Sequence, residues 1–309
     1  MAITVRNLTK YYGQEPAIED ISFDVKTGEI LGFLGPNGAG KTTTMKIITC
    51  YMPPTAGTVE VDGYSIAEHS LEVRRKIGYL PELNPLYLDM NVVEYLEYAA
   101  QLHGLDKSRT RHQLAQMVEV CGLKEVRHKD IGELSKGYRQ RVGLAQAMIH
   151  EPDVLILDEP TSGLDPRGMV EVRDILNVLR SEGYTIFMSS HLLAEVQETC
   201  NYVAMIDNGK LLIYDSVDKL AKMANMNQIE VVLADAPSKE ALERIARFKD
   251  VAKIQQPAQL RLYIEFTGDP NTRYLLLKEM LAADMKVLTF NPRGLALENL
   301  YMQLVGDSR

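Results

Sequence analysis

No stretch of the 309 residues approaches the roughly 18 consecutive apolar positions that a membrane-spanning helix needs. The opening Met1-Ala2-Ile3-Thr4-Val5-Arg6 lacks the apolar block of a signal peptide. The chain is therefore expected in the cytoplasm, meeting a membrane only through a partner. Cysteine is scarce and scattered: Cys50, Cys121 and Cys200 lie too far apart for a disulfide framework or a zinc site, and read as buried free thiols. Positive charge is in deficit, with 34 Lys and Arg against 42 Asp and Glu. A net charge of −8 argues against a large phosphate-backbone footprint, so no nucleic-acid partner is expected. No long heptad insertion interrupts the chain either. What remains is ordinary for a globular protein: 46% hydrophobic and 25% charged residues, in a length that suits about two domains. The acidic excess is uneven. Residues 1–225 carry 23 basic and 31 acidic side chains, residues 226–309 carry 11 of each, a first sign of two parts.

The first half is organised around Gly35-Pro36-Asn37-Gly38-Ala39-Gly40-Lys41-Thr42-Thr43, which fits G-x-x-x-x-G-K-[ST]. The apolar run Ile30–Leu34 before it reads as a buried strand, and Thr44–Ile48 after it as the first turns of a helix. A strand, a glycine turn and a helix start aim backbone N–H groups at one point, where the helix dipole adds positive potential. That point is a phosphate site. Lys41 supplies charge for the β- and γ-phosphates, and the Thr42 hydroxyl is a hard oxygen ligand for Mg²⁺. ATP and Mg²⁺ are the expected cofactors.

In chain order, Ile3–Leu8 and Ile21–Val25 alternate like strands, Thr58–Gly63 reads as strand and turn, and Ile77–Glu82 as a short buried strand with Glu82 just past its end. Residues 91–130 change to helical spacing. Val154–Leu157 and Thr185–Met188 are further buried strands, and Tyr202–Ile213 is a hairpin turned at Asn208-Gly209. Strands alternating with helices predict an α/β fold with a mainly parallel sheet. A junction is expected at 222–228. Beyond it, strands at Ile229–Leu233, Val251–Gln255, Leu260–Phe266 and Lys286–Phe290 interleave with helices at Ser238–Phe248 and Asn271–Ala283, with a further helix at Leu295–Val305. That is the β-α-β-β-α-β order of a small split βαβ sandwich. It carries no motif of its own and reads as a docking or regulatory module, or equally as scaffolding.

The chemistry concentrates on the first part. Val154–Leu157 delivers Asp158 and Glu159 to the tip of the sheet where the phosphate loop also ends. Asp158 is placed to hold Mg²⁺ and Glu159 to accept a proton from attacking water. His191, one turn beyond the strand Thr185–Met188, faces the crevice where parallel sheets bind ligands and is assigned to the γ-phosphate and the water. Leu134-Ser135-Lys136-Gly137-Tyr138-Arg139-Gln140-Arg141 opens the helix Val142–Ile149 with Ser135 as N-cap, a second anion-binding helix start. One chain is not expected to bring both ends onto one triphosphate, which suggests a second subunit.

Gly35–Thr43, Leu134–Arg141, Leu157–Pro160, Ser162-Gly163-Leu164-Asp165 and His191 occur in the order of the ATP-binding cassette family, resembling its Walker A, signature, Walker B, D-loop and H-loop. The resemblance covers about residues 1–220. It is closer to the cassette subunits of ABC-2-type exporters through Leu80–Asp89 and Leu134–Arg141, and within them to the group associated with gliding motility, whose tails Leu297–Tyr301 also resembles. It implies a P-loop NTPase cassette over 1–222, with a RecA-like core, an antiparallel β subdomain and a helical subdomain at about 83–150. A ferredoxin-like α+β domain would follow over 226–309. It further implies an ATPase peripheral to the inner face of a bacterial membrane. Two cassettes would close on ATP, with Ser135, Lys136 and Gly137 acting in trans and Asp165 in the D-loop. Residues 83–130 would dock an integral-membrane permease. Tyr12 matches the aromatic that stacks on adenine. Two departures stand out. Glu82 replaces the usual glutamine, keeping a metal-binding oxygen but losing the amide donors. Lys136 and Tyr138 alter the signature; Lys136 either adds charge near the partner's triphosphate or is simply solvated, the reading slightly preferred. A cassette acting on DNA or ribosomes, and a scaffold without turnover, fit the charge and the catalytic pair less well.

Overall fold

The computed structural model describes residues 1–224 and 227–293 and divides into two compact units, Met1–Ser216 and Val217–Arg309. The chain opens with a long hairpin of β1 (Ile3–Tyr12) and β2 (Glu15–Val25). It extends past the strands that alternation predicts because Thr9–Tyr12 and Glu15–Ala17 are exposed or half-buried and carry no apolar signal. β3 (Ile30–Leu34), buried throughout, runs through the glycine loop into α1 (Lys41–Ile48). β4 (Ala56–Val61) and β5 (Tyr64–Ser65) complete an antiparallel sheet of order β2-β1-β4-β5. α2 (Ser70–Lys76) then leads directly into β6 (Ile77–Leu80).

The expected helical portion follows as α3 (Val92–Leu102), α4 (Lys107–Val120) and α5 (Lys136–Met148). Asn91 and Glu94 form a reciprocal capping box at the start of α3, and Asp106 caps α4 through the N–H groups of Ser108 and Arg109. α5 begins six residues before the helix Val142–Ile149 read from apolar spacing, so Gly137 and Tyr138 belong to its first turn. The remaining elements alternate: β7 (Val154–Leu157), α6 (Pro166–Ser181), β8 (Thr185–Ser190), α7 (Leu193–Thr199), β9 (Tyr202–Asp207) and β10 (Lys210–Ser216). They build a six-stranded sheet of order β10-β9-β3-β8-β7-β6, parallel from β9 to β6. β10 returns antiparallel through Asn208-Gly209, both at positive φ.

The two sheets share one core. Phe23 from the antiparallel sheet packs on Phe33 and Phe187 from the parallel one, each at a ring separation of 5.5 Å, and those two rings lie 5.4 Å apart. Burying each ring is worth about 2–3 kcal/mol. A second junction joins the helical portion to the core: His103 ends α3, His150 follows α5, and their rings stack at 3.7 Å, 7° from parallel. His150 Nε2 lies 3.1 Å from the Ile77 carbonyl, which makes it the protonated nitrogen. Burial, and then the facing His103, lower the His150 pKa to about 4. Cys121 and Cys200 are buried, Cys50 is half-buried, and all three are free.

The second unit begins with α8 (Val217–Ala224), ahead of the junction expected at 222–228. β11 (Asn227–Leu233), α9 (Lys239–Ala246), β12 (Val251–Ala258), β13 (Arg261–Phe266), α10 (Pro270–Ala282) and β14 (Val287–Arg293) follow. All neighbours in the order β12-β13-β11-β14 are antiparallel, the ferredoxin-like arrangement. One sheet face, with Ile229, Val231, Leu262, Ile264 and Phe266, packs on Ile245, Leu276 and Met280 of the helices. The helix read at Leu295–Val305 and the tail Leu297–Tyr301 lie outside the described residues. Among the described residues no helix is long and apolar enough to cross a membrane.

Candidate nucleotide site

The loop between β3 and α1 is shaped by its glycines. Gly40 has φ 107° and a Cβ there would stand 2.6 Å from the Ala17 carbonyl oxygen, while one on Gly35 would collide with the Ile206 carbonyl. Gly38, with open space beside it, sits on the exposed side. Ala39 is buried and bonds back to Pro36 (3.2 Å). The loop is backed by the β9–β10 turn: Gly209 N–H donates to Ala39 O at 3.1 Å, and Glu19 N–H to Gly209 O at 2.8 Å. α1 starts at Lys41 with no side-chain cap, so its first amides, those of Thr42 and Thr43 among them, stay open to an anion. Lys41 is itself buried. Its ammonium donates to the carbonyls of Gly35 (2.7 Å) and Pro36 (3.1 Å) and lies 3.2 Å from Glu159 Oε1.

β7 ends beside the loop, two strands away across β8. Asp158 N–H donates to Leu80 O (2.8 Å), which holds the strand end against β6. Asp158 and Glu159 are both buried, and Glu159 takes a left-handed φ of 50°. Ser189 Oγ accepts from Glu159 N–H (2.9 Å) and donates to Asp158 Oδ1 (2.6 Å). Asp158 Oδ2 and Glu159 Oε1 are buried with no hydrogen bond. His191 Nδ1 meets Glu159 Oε2 at 2.6 Å. A cleft of roughly 290 Å³ brings Glu82 and Glu159 together with Asn37, Gly38, Gly40, Lys41, Thr42 and Thr43. Ala17 lines it too, a residue without any sequence signal.

Other expected residues lie outside that cleft. Ser135 caps α5, accepting from Tyr138 N–H at 3.3 Å, and a Cβ on the half-buried Gly137 would stand 4.0 Å from Gly168 Cα and from Ser135 Oγ. Lys136 is exposed, and its ammonium rests against Gly163 of the same chain. Asp165 caps α6 through Gly168 N–H (3.1 Å), ahead of Pro166 in the first turn. Tyr12 is 52% exposed and its hydroxyl contacts Met52 Sδ at 3.2 Å. The sequence reading missed a further cluster. Thr161 and Ser190 each donate to Glu195, on separate carboxylate oxygens at 2.6 and 2.8 Å, tying the segment after β7 to the end of β8. β8 runs to Ser190 and not to Met188, so both serines are strand residues.

A family model described as ABC transporter matches residues 18–162. The bacitracin transport ATP-binding protein BcrA of Bacillus licheniformis is 33% identical over 307 residues, 98% of this chain and 97% of that one. The chain belongs to the ABC transporter ATP-binding family. This cassette is also 32% identical to the Nod factor export ATP-binding protein I of Ralstonia nicotianae, over 88% of this chain and 89% of that one. A solved ATP-binding subunit of an ABC transporter superposes with a TM-score of 0.66 at 30% identity, covering 72% of this chain and 93% of its own. The cassette is thus an ATPase, and the cleft under Lys41 sits where its fold brings the phosphate loop and both carboxylates to one end of the sheet.

Proposed function

We propose that the chain is the ATP-hydrolysing subunit of an ABC-2-type exporter, driving a separate integral-membrane permease from the inner face of a bacterial membrane. What supports this most is the split of the anion-binding elements. The phosphate loop, Glu82 and Glu159 share one cleft, whereas the capped helix start lies outside it, with Ser135 and Lys136 exposed and Gly137 half-buried. A second copy supplying that helix start to the γ-phosphate completes both sites of a head-to-tail pair. The Nod factor relative supports export as the direction.

In this reading Lys41, the amides of residues 38–43 and Tyr12 hold ATP. Thr42, Glu82 and Asp158 hold Mg²⁺. The unpartnered, buried Asp158 Oδ2 fits a cation, since an ionised oxygen left alone in the interior is costly. Bound Mg²⁺ would neutralise charge on the β- and γ-phosphates. Glu159 takes a proton from water as its oxygen attacks the γ-phosphorus, giving ADP and phosphate, and His191 keeps Glu159 aimed. Asp165, in the D-loop, lines the partner cassette. Closing and reopening of the pair moves the permease docked on residues 83–130, and the unit from 226 to 309 docks or regulates the same complex. A gliding role is the finest reading and rests on residues 80–89, 134–141 and 297–301. Neighbouring reading frames that encode a multi-span permease and an extracytoplasmic companion would settle the class of partner.

The decisive variant is Glu159→Gln. It should bind ATP, run as a dimer on size exclusion and release phosphate about 10²–10⁴-fold more slowly, the range for removing a general base. Wild-type turnover would remove Glu159 from that role.

A further inference from the structure

We infer that Ser189 is a positioning residue for both carboxylates, and that its hydroxyl sets the Asp158 oxygen that faces the metal. The inference rests on the reading of Asp158 given above.

β8 is the strand between β3 and β7, and Ser189 pairs in register with Phe33, the residue before the last of β3. It is two residues from Phe187 and so continues the strand face that packs on Phe23 and Phe33. A hydroxyl there is anomalous. The strand is buried end to end, Ser189 is 0% exposed, and an unpaired hydroxyl in such a place destabilises the fold. It is paired, and its pairing is directional. Because Glu159 N–H donates to Oγ, the serine proton is free to point only at Asp158 Oδ1, 2.6 Å away.

Two things follow from one hydroxyl. Oδ1 of Asp158 is engaged, so the carboxylate cannot rotate, and Oδ2 is the oxygen left buried and unpartnered. The other bond fixes the peptide of Glu159, whose φ of 50° is costly for any residue but glycine and must be held from outside. Alanine or valine would suit a buried strand better but could hold neither. A serine kept only to satisfy the Glu159 amide would not need its proton on Asp158.

The test compares wild type, Ser189→Ala, Ser189→Thr and Asp158→Asn in the full chain. Binding of a fluorescent ATP analogue is titrated with Mg²⁺ and repeated in EDTA, and melting temperatures are recorded without nucleotide. Ser189→Ala should raise the half-saturating Mg²⁺ about tenfold, the worth of one hydrogen bond to a charged group, with unchanged affinity in EDTA. Ser189→Thr, which keeps the hydroxyl, should restore the wild-type value. Adding Ser189→Ala to Asp158→Asn should give no further shift. A lowered melting temperature for Ser189→Ala with unchanged Mg²⁺ dependence, while Asp158→Asn does shift it, overturns the positioning role and leaves Asp158 standing. An unshifted Asp158→Asn overturns both. Should Ser189→Ala fail to fold, the near-isosteric Ser189→Cys, a weaker donor, must show the shift in its place.

Discussion

The two units bury different things. The first hides Lys41, Asp158, Glu159, Ser189 and Ser190 at the ends of adjacent strands, with ion pairs and hydrogen bonds that satisfy most but not all of them. The core of the second is apolar, and its buried ionisable group among the described residues is Glu230, 3.5 Å from Arg261. Charge is left incompletely satisfied in a protein interior only where something else repays its desolvation. The contrast fits the proposed site: Lys41, Asp158 and Glu159 sit buried together where the first unit is proposed to bind its nucleotide, and the core of the second unit holds no such group among the described residues.

The sharpest way to break the contrast is to remove one charge. Lys41→Ala leaves Glu159 buried with only His191 beside it. We expect roughly 3 kcal/mol of lost stability in urea melts without nucleotide, the lower end for breaking a buried pair. Adding Glu159→Gln should return most of it. Equal losses in the single and double variants would mean that the pair is not what the fold leans on.

A smaller effect concerns pH. His150 has a folded-state pKa of about 4 against 6.5 for the ordinary group, so between those values the unfolded chain binds the extra proton. Stability is then complete above about pH 6.5 and falls as the pH drops toward 4, by up to about 3 kcal/mol. His150→Phe keeps a ring against His103 and should flatten that part of the slope, read from urea midpoints at pH 7.5 and 5. A slope unchanged by the substitution would place its origin elsewhere.

The smallest test sets two like caps side by side. Asp165 caps α6 in the first unit and Asp269 caps α10 in the second, each through a backbone N–H. Replacing either by Ala should cost about 1 kcal/mol. Only the Asp165 variant should also slow ATP turnover. Equal turnover in both would reduce Asp165 to its capping role.

The sequence was most legible where burial is continuous. β3 and β7 announce themselves as unbroken apolar runs ending in a glycine turn or a carboxylate pair, and Asn208-Gly209 marks its hairpin by needing two positive φ values. Legibility failed where structure is held by single bonds. α5 starts at Lys136 because Ser135 caps it, although Gly137 in the first turn is a poor helix former. Ser189 and Glu195 act across strands and loops, and contacts of that kind leave no period in the sequence. A signal for Ser189 did exist: a serine within a buried strand, level with the end of the β3 run. Ala17 gave none, since it lines the cleft by its place on β2.

The β9–β10 turn has a consequence in time. Gly209 closes on Ala39, so the phosphate loop gains its backing only after residues far later in the chain have been made. During synthesis the loop, its lysine and the first helix emerge early, yet they lack the support that shapes them until the last strands of the unit arrive. A nascent chain arrested short of residue 209 should thus ignore nucleotide, and one released just beyond Ser216 should take it up.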